Sequence, residues 1–124
     1  AYGLHVTDQV SIRVTSSEHV ASTMLGIRTN PPKQLGGLQV IGIDDLATGF
    51  GKLPATDAVI IHLAGKNQVE KARVIIRPSG TEPKIKCYLE VVVRGDDLEI
   101  ARQTADNELR RLATDAGPLL SGGN

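Results

Sequence analysis

Apolar positions recur along the chain at two different periods, and the switches between them mark out its elements. Over residues 9–14 they alternate, with Val10, Ile12 and Val14 on one side and Ser11 and Arg13 on the other, as in a half-buried strand. Thr15 stands three residues before Glu18, the spacing of a capping box, and Val20, Met24 and Ile27 follow at helical intervals. Asn30-Pro31-Pro32 stops that helix, since proline has no N–H to donate to the preceding turn. Gly36-Gly37 precedes a second strand over 38–43, and residues 44–54 are loop-like. Residues 58–64, 72–77 and 85–93 are three more apolar runs of strand length. Asp96 and Glu99 repeat the capping spacing before a last helix. Leu98, Ala101, Ala105, Leu109 and Leu112 form its apolar face, and it ends near Ala113.

The order is strand, helix, several strands, helix. No βα unit repeats, which argues against a doubly wound parallel sheet. The pattern predicts an α+β fold, a largely antiparallel sheet with two helices on one face. A chain of 124 residues suits one domain. Residues 1–7, AYGLHVT, have no initiator Met and read as the tail of a preceding element. Residues 115–124 read as a flexible terminus. The expectation is a C-terminal piece of a longer protein.

Composition narrows the classes. Lys plus Arg equals Asp plus Glu at 14 each, which argues against a nucleic-acid or membrane-surface binder. Aromatic content of 2% denies the stacking platforms that sheet-based nucleic-acid readers use. No run reaches the ~18 apolar residues of a membrane span. A single Cys cannot form an internal disulfide, so a reducing, cytoplasmic setting is expected. The balanced total conceals an asymmetry: between Lys66 and Arg94, seven cations face three anions.

That positive segment surrounds RPSGTEPK, residues 77–84, which separates two of the most apolar runs in the chain. Reversing a strand needs no more than a Gly or Asn turn. This connector instead combines an Arg fork able to hold two oxygens of one anion, two hydroxyl donors and a Gly that lets backbone N–H approach. Pro78 and Pro83 stiffen it, which lowers the ordering entropy lost on binding. The donor set favours phosphate or carboxylate. The same residues also suit a rigid turn whose Ser and Thr bond their own backbone.

RPSGTEPK followed by IKCYLEV resembles the C-terminal domain of the α-D-phosphohexomutase family, the phosphoglucomutases and phosphomannomutases. The loop matches at every position. The rest of the chain is compatible in element order, and YGLHVT resembles the end of the preceding domain's last helix. The Lys84-Ile85-Lys86 continuation is more similar to the phosphoglucomutase and phosphomannomutase branches than to the phosphoglucosamine branch.

The resemblance implies a fold of the TATA-binding-protein class. It also implies an enzyme that interconverts hexose 1-phosphate and hexose 6-phosphate, of glucose or mannose, through a phosphoserine and a bisphosphorylated sugar. The phosphoserine, the aspartates that hold Mg²⁺ and the sugar-reading segment then belong to preceding domains. This chain accordingly carries no catalytic residue and no metal site, and is not expected to turn over alone. Its implied partners are a phosphorylated sugar and those domains. Arg77, Ser79, Gly80 and Thr81 become the phosphate clamp. Glu82 and Lys84 shape the loop or steer charge. Arg73, four residues before Arg77 on one strand face, extends the positive field, with a surface ion pair as its rival role. A pentose phosphate, or a non-catalytic phosphate-binding module, is the alternative.

Other candidates carry less. His5, His19 and His62 share no metal-like spacing with one another or with Cys87, and His62 in its apolar run is a structural residue. Cys87 falls on the apolar face of its strand as a small hydrophobe. Asp44 and Asp45 would point to opposite faces of a strand, so a solvated loop is expected there rather than a metal site.

Overall fold

The computed structural model describes residues 2–48 and 57–121. The elements are β1 (Tyr2–Arg13), α1 (Ser17–Thr29), β2 (Gln34–Leu35), β3 (Leu38–Asp45), a short 3-10 turn (Leu46–Thr48), β4 (Val59–Lys66), β5 (Val69–Pro78), β6 (Lys84–Gly95) and α2 (Leu98–Leu120). They form one curled sheet in the order β1-β6-β5-β4-β3-β2, with every neighbouring pair antiparallel. The α+β architecture expected from the sequence is the one observed.

Strict alternation builds the core. Val59, Ile61, Leu63, Val74, Ile76, Ile85, Leu89, Val91 and Val93 are at most 1% exposed and share one face of the sheet. Val20, Met24 and Ile27 of α1 and Ala105, Leu109 and Leu112 of α2 close over that face in the same cluster. The other face is open, and it carries most of the charged and polar residues of β1, β5 and β6.

Several sequence expectations shift. The two caps lie one residue later than expected. Ser16 Oγ accepts the His19 N–H at 3.2 Å, and Asp97 Oδ1 accepts the Ile100 N–H at 3.1 Å. Leu98, expected on the buried stripe of α2, is 55% exposed. The helix does not end near Ala113, and residues 115–120 are not a flexible terminus. Ala116 and Leu120 prolong the stripe and are 1% and 0% exposed, so packing outweighs the poor helix propensity of Gly117 and Pro118.

Nor are residues 2–7 the tail of another element, or helical. They belong to β1, which pairs with β6 from Tyr2↔Gly95 to Arg13↔Lys84. Leu4 and Val6 have the same parity as Val10 and Ile12. Asp8 interrupts the pattern at a core-facing position and turns to accept its neighbour Gln9 N–H at 2.8 Å. An inward charge on an edge strand discourages pairing with a further strand.

The expected loop over 44–54 is partly strand, since β3 runs to Asp45; residues 49–54 lie outside the described residues. A two-residue β2 was also missed. It joins β3 through Gly36 and Gly37, whose φ of 59° and 77° need glycine.

Gly36 has a second reason. A Cβ there would come within 2.6 Å of Glu108 Oε2. Glu108 is 4% exposed; Arg111 Nη1 donates to its Oε1 at 3.1 Å, while Oε2 has no hydrogen-bond partner among the described residues. Burial pushes its carboxyl above the usual 4.5, against the pull of Arg111. A raised acid pKa means that stability falls as pH climbs from 4.5, where the unfolded carboxyl ionises, through the higher folded value. Glu108→Gln is therefore expected to be more stable than the wild type at pH 7 and flatter in its pH dependence above pH 4.5. Urea midpoints measured across that range test this; a less stable variant at pH 7 would show that the carboxylate is an asset to the fold.

Candidate functional site

β5 ends at Pro78 and β6 begins at Lys84, so Ser79 to Pro83 form the connection. Its base is pinned by backbone bonds. Ser79 N–H donates to the Lys84 carbonyl at 2.9 Å, and Lys84 N–H to the Glu82 carbonyl at 2.8 Å. From the neighbouring strand, Val14 N–H donates to the Pro83 carbonyl at 2.8 Å. The crown is different. Gly80, Thr81 and Glu82 are exposed. The Thr81 N–H reaches Ser79 Oγ only at 3.4 Å, and the Gly80 N–H has no partner among the described residues. The loop thus holds an exposed crown on a fixed base.

Gly80 is not demanded by the fold. Its φ is outside the left-handed region, and a Cβ there would meet nothing within 4 Å. Gly80→Ala is expected to keep or raise stability, by about 0.4–1 kcal/mol. If an anion packs on this backbone, the same change weakens phosphate binding by about two- to tenfold. Paired thermal melts and phosphate titrations separate the two effects, and equal binding by both proteins would exclude a close approach at Gly80.

The charges are arranged unevenly. On the open face Arg77 is directly opposite Lys86, cross-strand partners of the same sign. Such pairs repel. Among the described residues neither has a hydrogen-bonded or ion-paired anion, whereas Arg73 is held by Glu90 and Arg94 by Glu70. Two uncompensated cations therefore stand at the loop end of the sheet. Sequence reasoning missed Lys86. Its signal was the Lys84-Ile85-Lys86 alternation, but only the β5–β6 register sets it beside Arg77.

The supporting residues separate into two groups. Glu82 and Lys84 belong to the loop. Arg13 Nη2 donates to Glu82 Oε2 at 2.7 Å, and Lys84 Nζ is 3.7 Å from Glu82 Oε1. The Arg13 hydrogen bond, with Lys84 beside it, holds the Glu82 carboxyl below its ordinary range. Arg73 is spent elsewhere. Its Nε and Nη2 donate to the two oxygens of Glu90 at 2.8 and 3.3 Å, and His5 Nε2 is 3.4 Å from Glu90 Oε1. That bidentate bond keeps Glu90 below the usual carboxylate range. The structure places Arg73 in a surface ion pair.

Asp44 and Asp45 do point to opposite faces. Asp44 Oδ2 is 2.8 Å from His62 Nε2, and Asp45 Oδ2 is 3.1 Å from Arg28 Nε. Cys87 is fully buried, and burial pushes its thiol up to about 12, which leaves it an inert hydrophobe. Among the described residues, no three of His, Cys, Asp and Glu converge on a metal-sized site. No helix there is long and apolar enough to cross a membrane.

Residues 52–110, which include the loop and both strands that flank it, match the family described as the phosphoglucomutase/phosphomannomutase C-terminal domain. The chain carries a phosphoglucomutase/phosphomannomutase C-terminal domain. Among curated relatives, a probable phosphomannomutase of Haemophilus influenzae is 37% identical over 97 residues, which cover 77% of this chain and 18% of that protein. A phosphoglucomutase of Staphylococcus aureus is 34% identical over 83 residues, 63% of this chain and 15% of that protein. One of Staphylococcus epidermidis is 35% identical over 77 residues, 58% and 14% respectively. The chain thus spans less than a fifth of the length of these relatives. Of the phosphoglucomutase/phosphomannomutase domain's loop contacts, those from Arg13 and Val14 come from outside the matched residues.

Proposed function

We propose that this chain is the substrate-phosphate-binding domain of a phosphosugar mutase that interconverts hexose 1-phosphate and hexose 6-phosphate. The observation that carries the reading is the facing Arg77–Lys86 pair, two cations with no anion among the described residues, beside an exposed loop crown whose Gly80 N–H has no partner among those residues. A dianionic phosphate resolves that repulsion and satisfies that donor together.

In this reading Arg77 supplies the planar fork, Lys86 a point charge, and Ser79, Gly80 and Thr81 the hydroxyl and backbone donors. These residues bind and orient; none of them transfers a proton or a phosphoryl group. A clamp that recognises only phosphate suits a reaction through a bisphosphorylated sugar, because the intermediate must be held by either end. The phosphoserine that donates the phosphoryl group would lie in preceding domains of the parent chain. Mg²⁺, which would neutralise charge on the transferring group, would be held by aspartates of those preceding domains. We assign the chain to the cytoplasm, since the one Cys in these 124 residues is buried and unpaired, as a reducing compartment allows.

Inorganic phosphate titrated into the 124-residue chain is expected to shift the backbone amides of Gly80 and Thr81 with roughly millimolar affinity, while the chain alone shows no mutase turnover. Absence of a localised shift up to tens of millimolar would overturn the clamp. Turnover by the pure chain would overturn its role as a binding domain only.

A further inference from the structure

The loop that is read above as a phosphate clamp contains a negative charge of its own. Glu82 follows Thr81 directly, at the crown and exposed, and a carboxylate there opposes any dianion approaching the Thr81 N–H. The structure disposes of that charge through β1, an edge strand 69 residues away in sequence. Arg13, its last residue, holds Glu82 Oε2 at 2.7 Å, and Lys84 stands 3.7 Å from Oε1, so both oxygens face cations. The next residue, Val14, adds the 2.8 Å bond from its N–H to the Pro83 carbonyl. Two successive residues at the end of β1 therefore grip two successive residues of the loop, one by side chain and one by backbone. Arg13 itself pairs in register with Lys84, not with Arg77 or Lys86.

We propose that Arg13 is a positioning residue for phosphate recognition: it holds the Glu82 carboxylate against β1, which keeps the loop's own anion away from the donors at Gly80 and Thr81. The proposal rests on the clamp reading above. Arg13 touches no phosphate in it and acts only through Glu82. The lowered Glu82 pKa accords with this, because the carboxylate is kept ionised and occupied.

Phosphate titrations of wild type, Arg13→Ala, Arg13→Lys, Glu82→Gln and the double variant Arg13→Ala/Glu82→Gln, read at the Gly80 and Thr81 amides, test it. Arg13→Ala is expected to weaken phosphate binding by about two- to fivefold, the scale of an exposed ion pair. Arg13→Lys keeps the charge without the fork and recovers part of that loss. Glu82→Gln binds phosphate at least as well as wild type, and adding it to Arg13→Ala restores binding, since no carboxylate is left to neutralise. The Glu82 side-chain carboxyl ¹³C titration moves upward in Arg13→Ala, a change that a purely structural role at a distance would not produce. Unchanged binding in Arg13→Ala overturns the proposal. So does a double variant as weak as Arg13→Ala, which would mean that Arg13 meets the phosphate directly or merely supports the fold. If wild type shows no localised shift, the clamp reading fails first and this proposal with it; if wild type binds and Arg13→Ala matches it, only this proposal fails.

Discussion

Arg77→Ala in the full-length enzyme is expected to lower kcat/KM by roughly 10- to 150-fold, the loss of one charge-assisted interaction of about 1.5–3 kcal/mol. Arg77 is exposed and has no protein partner among the described residues, so its removal leaves no buried group unsatisfied and the fold should be unaffected. The loss should therefore appear in kinetics and not in melting temperature. Arg77→Lys should recover only part, because a point charge cannot reproduce a bidentate fork. Lys86→Ala should cost less than Arg77→Ala for the same reason, and should relieve some of the cross-strand repulsion in the free protein. Loss should be similar for 1-phosphate and 6-phosphate substrates if one clamp serves both ends of the sugar. A large loss confined to one phosphate position would remove Arg77 from the shared clamp.

The parts of this site differ in how plainly the sequence shows them, and the difference is one of contact distance along the chain. RPSGTEPK is local. Five adjacent residues bring their own donors together whatever the remainder does, so the loop and its anion preference are legible from side-chain chemistry alone. Lys86 needs one further fact, the register of β5 against β6. That register follows from which parity is apolar, so it was within reach of the pattern. Arg13 was beyond reach. Its contact with Glu82 depends on β1 pairing with β6, two elements from opposite ends of the chain, and no local pattern reports such a pairing.

The fold shows the same division. Strand alternation located β4, β5 and β6 to within a few residues, since apolar positions repeating along one face leave little choice. The two largest misreadings came where one or two residues outvoted a neighbourhood. Asp8 hid the first half of β1, and Gly117 with Pro118 hid the last turns of α2. In both places burial against the core had more to offer than the local residue took away.

Gly65→Ala is expected to be the most damaging of the conservative changes at the other end of β5. Residue 65 lies on β4 opposite the irregularity between Val69 and Lys71, where β5 holds one residue more than β6. A Cβ on Gly65 would sit 2.2 Å from the Glu70 carbonyl oxygen and 2.3 Å from that of Val69. Both are backbone atoms, so no side chain can swing aside, and the bulge must open or the Lys66↔Val69 pair must separate. The turn beyond it is already committed, with Asn67 at a φ of 56°. Overpacking of this kind costs about 2–3 kcal/mol, a fall of roughly 6–15 °C in Tm for a chain of this size. Gly80→Ala, in the connection at the opposite end of the same strand, should leave Tm unchanged or raised, and the two variants control for each other. Below its Tm, Gly65→Ala should still show the phosphate shifts at Gly80 and Thr81, because the damage is confined to the β4–β5 turn and the clamp is built at the β5–β6 end. A melting temperature within a degree of wild type would show that the bulge yields freely and that the close backbone approach at Gly65 has no energetic weight.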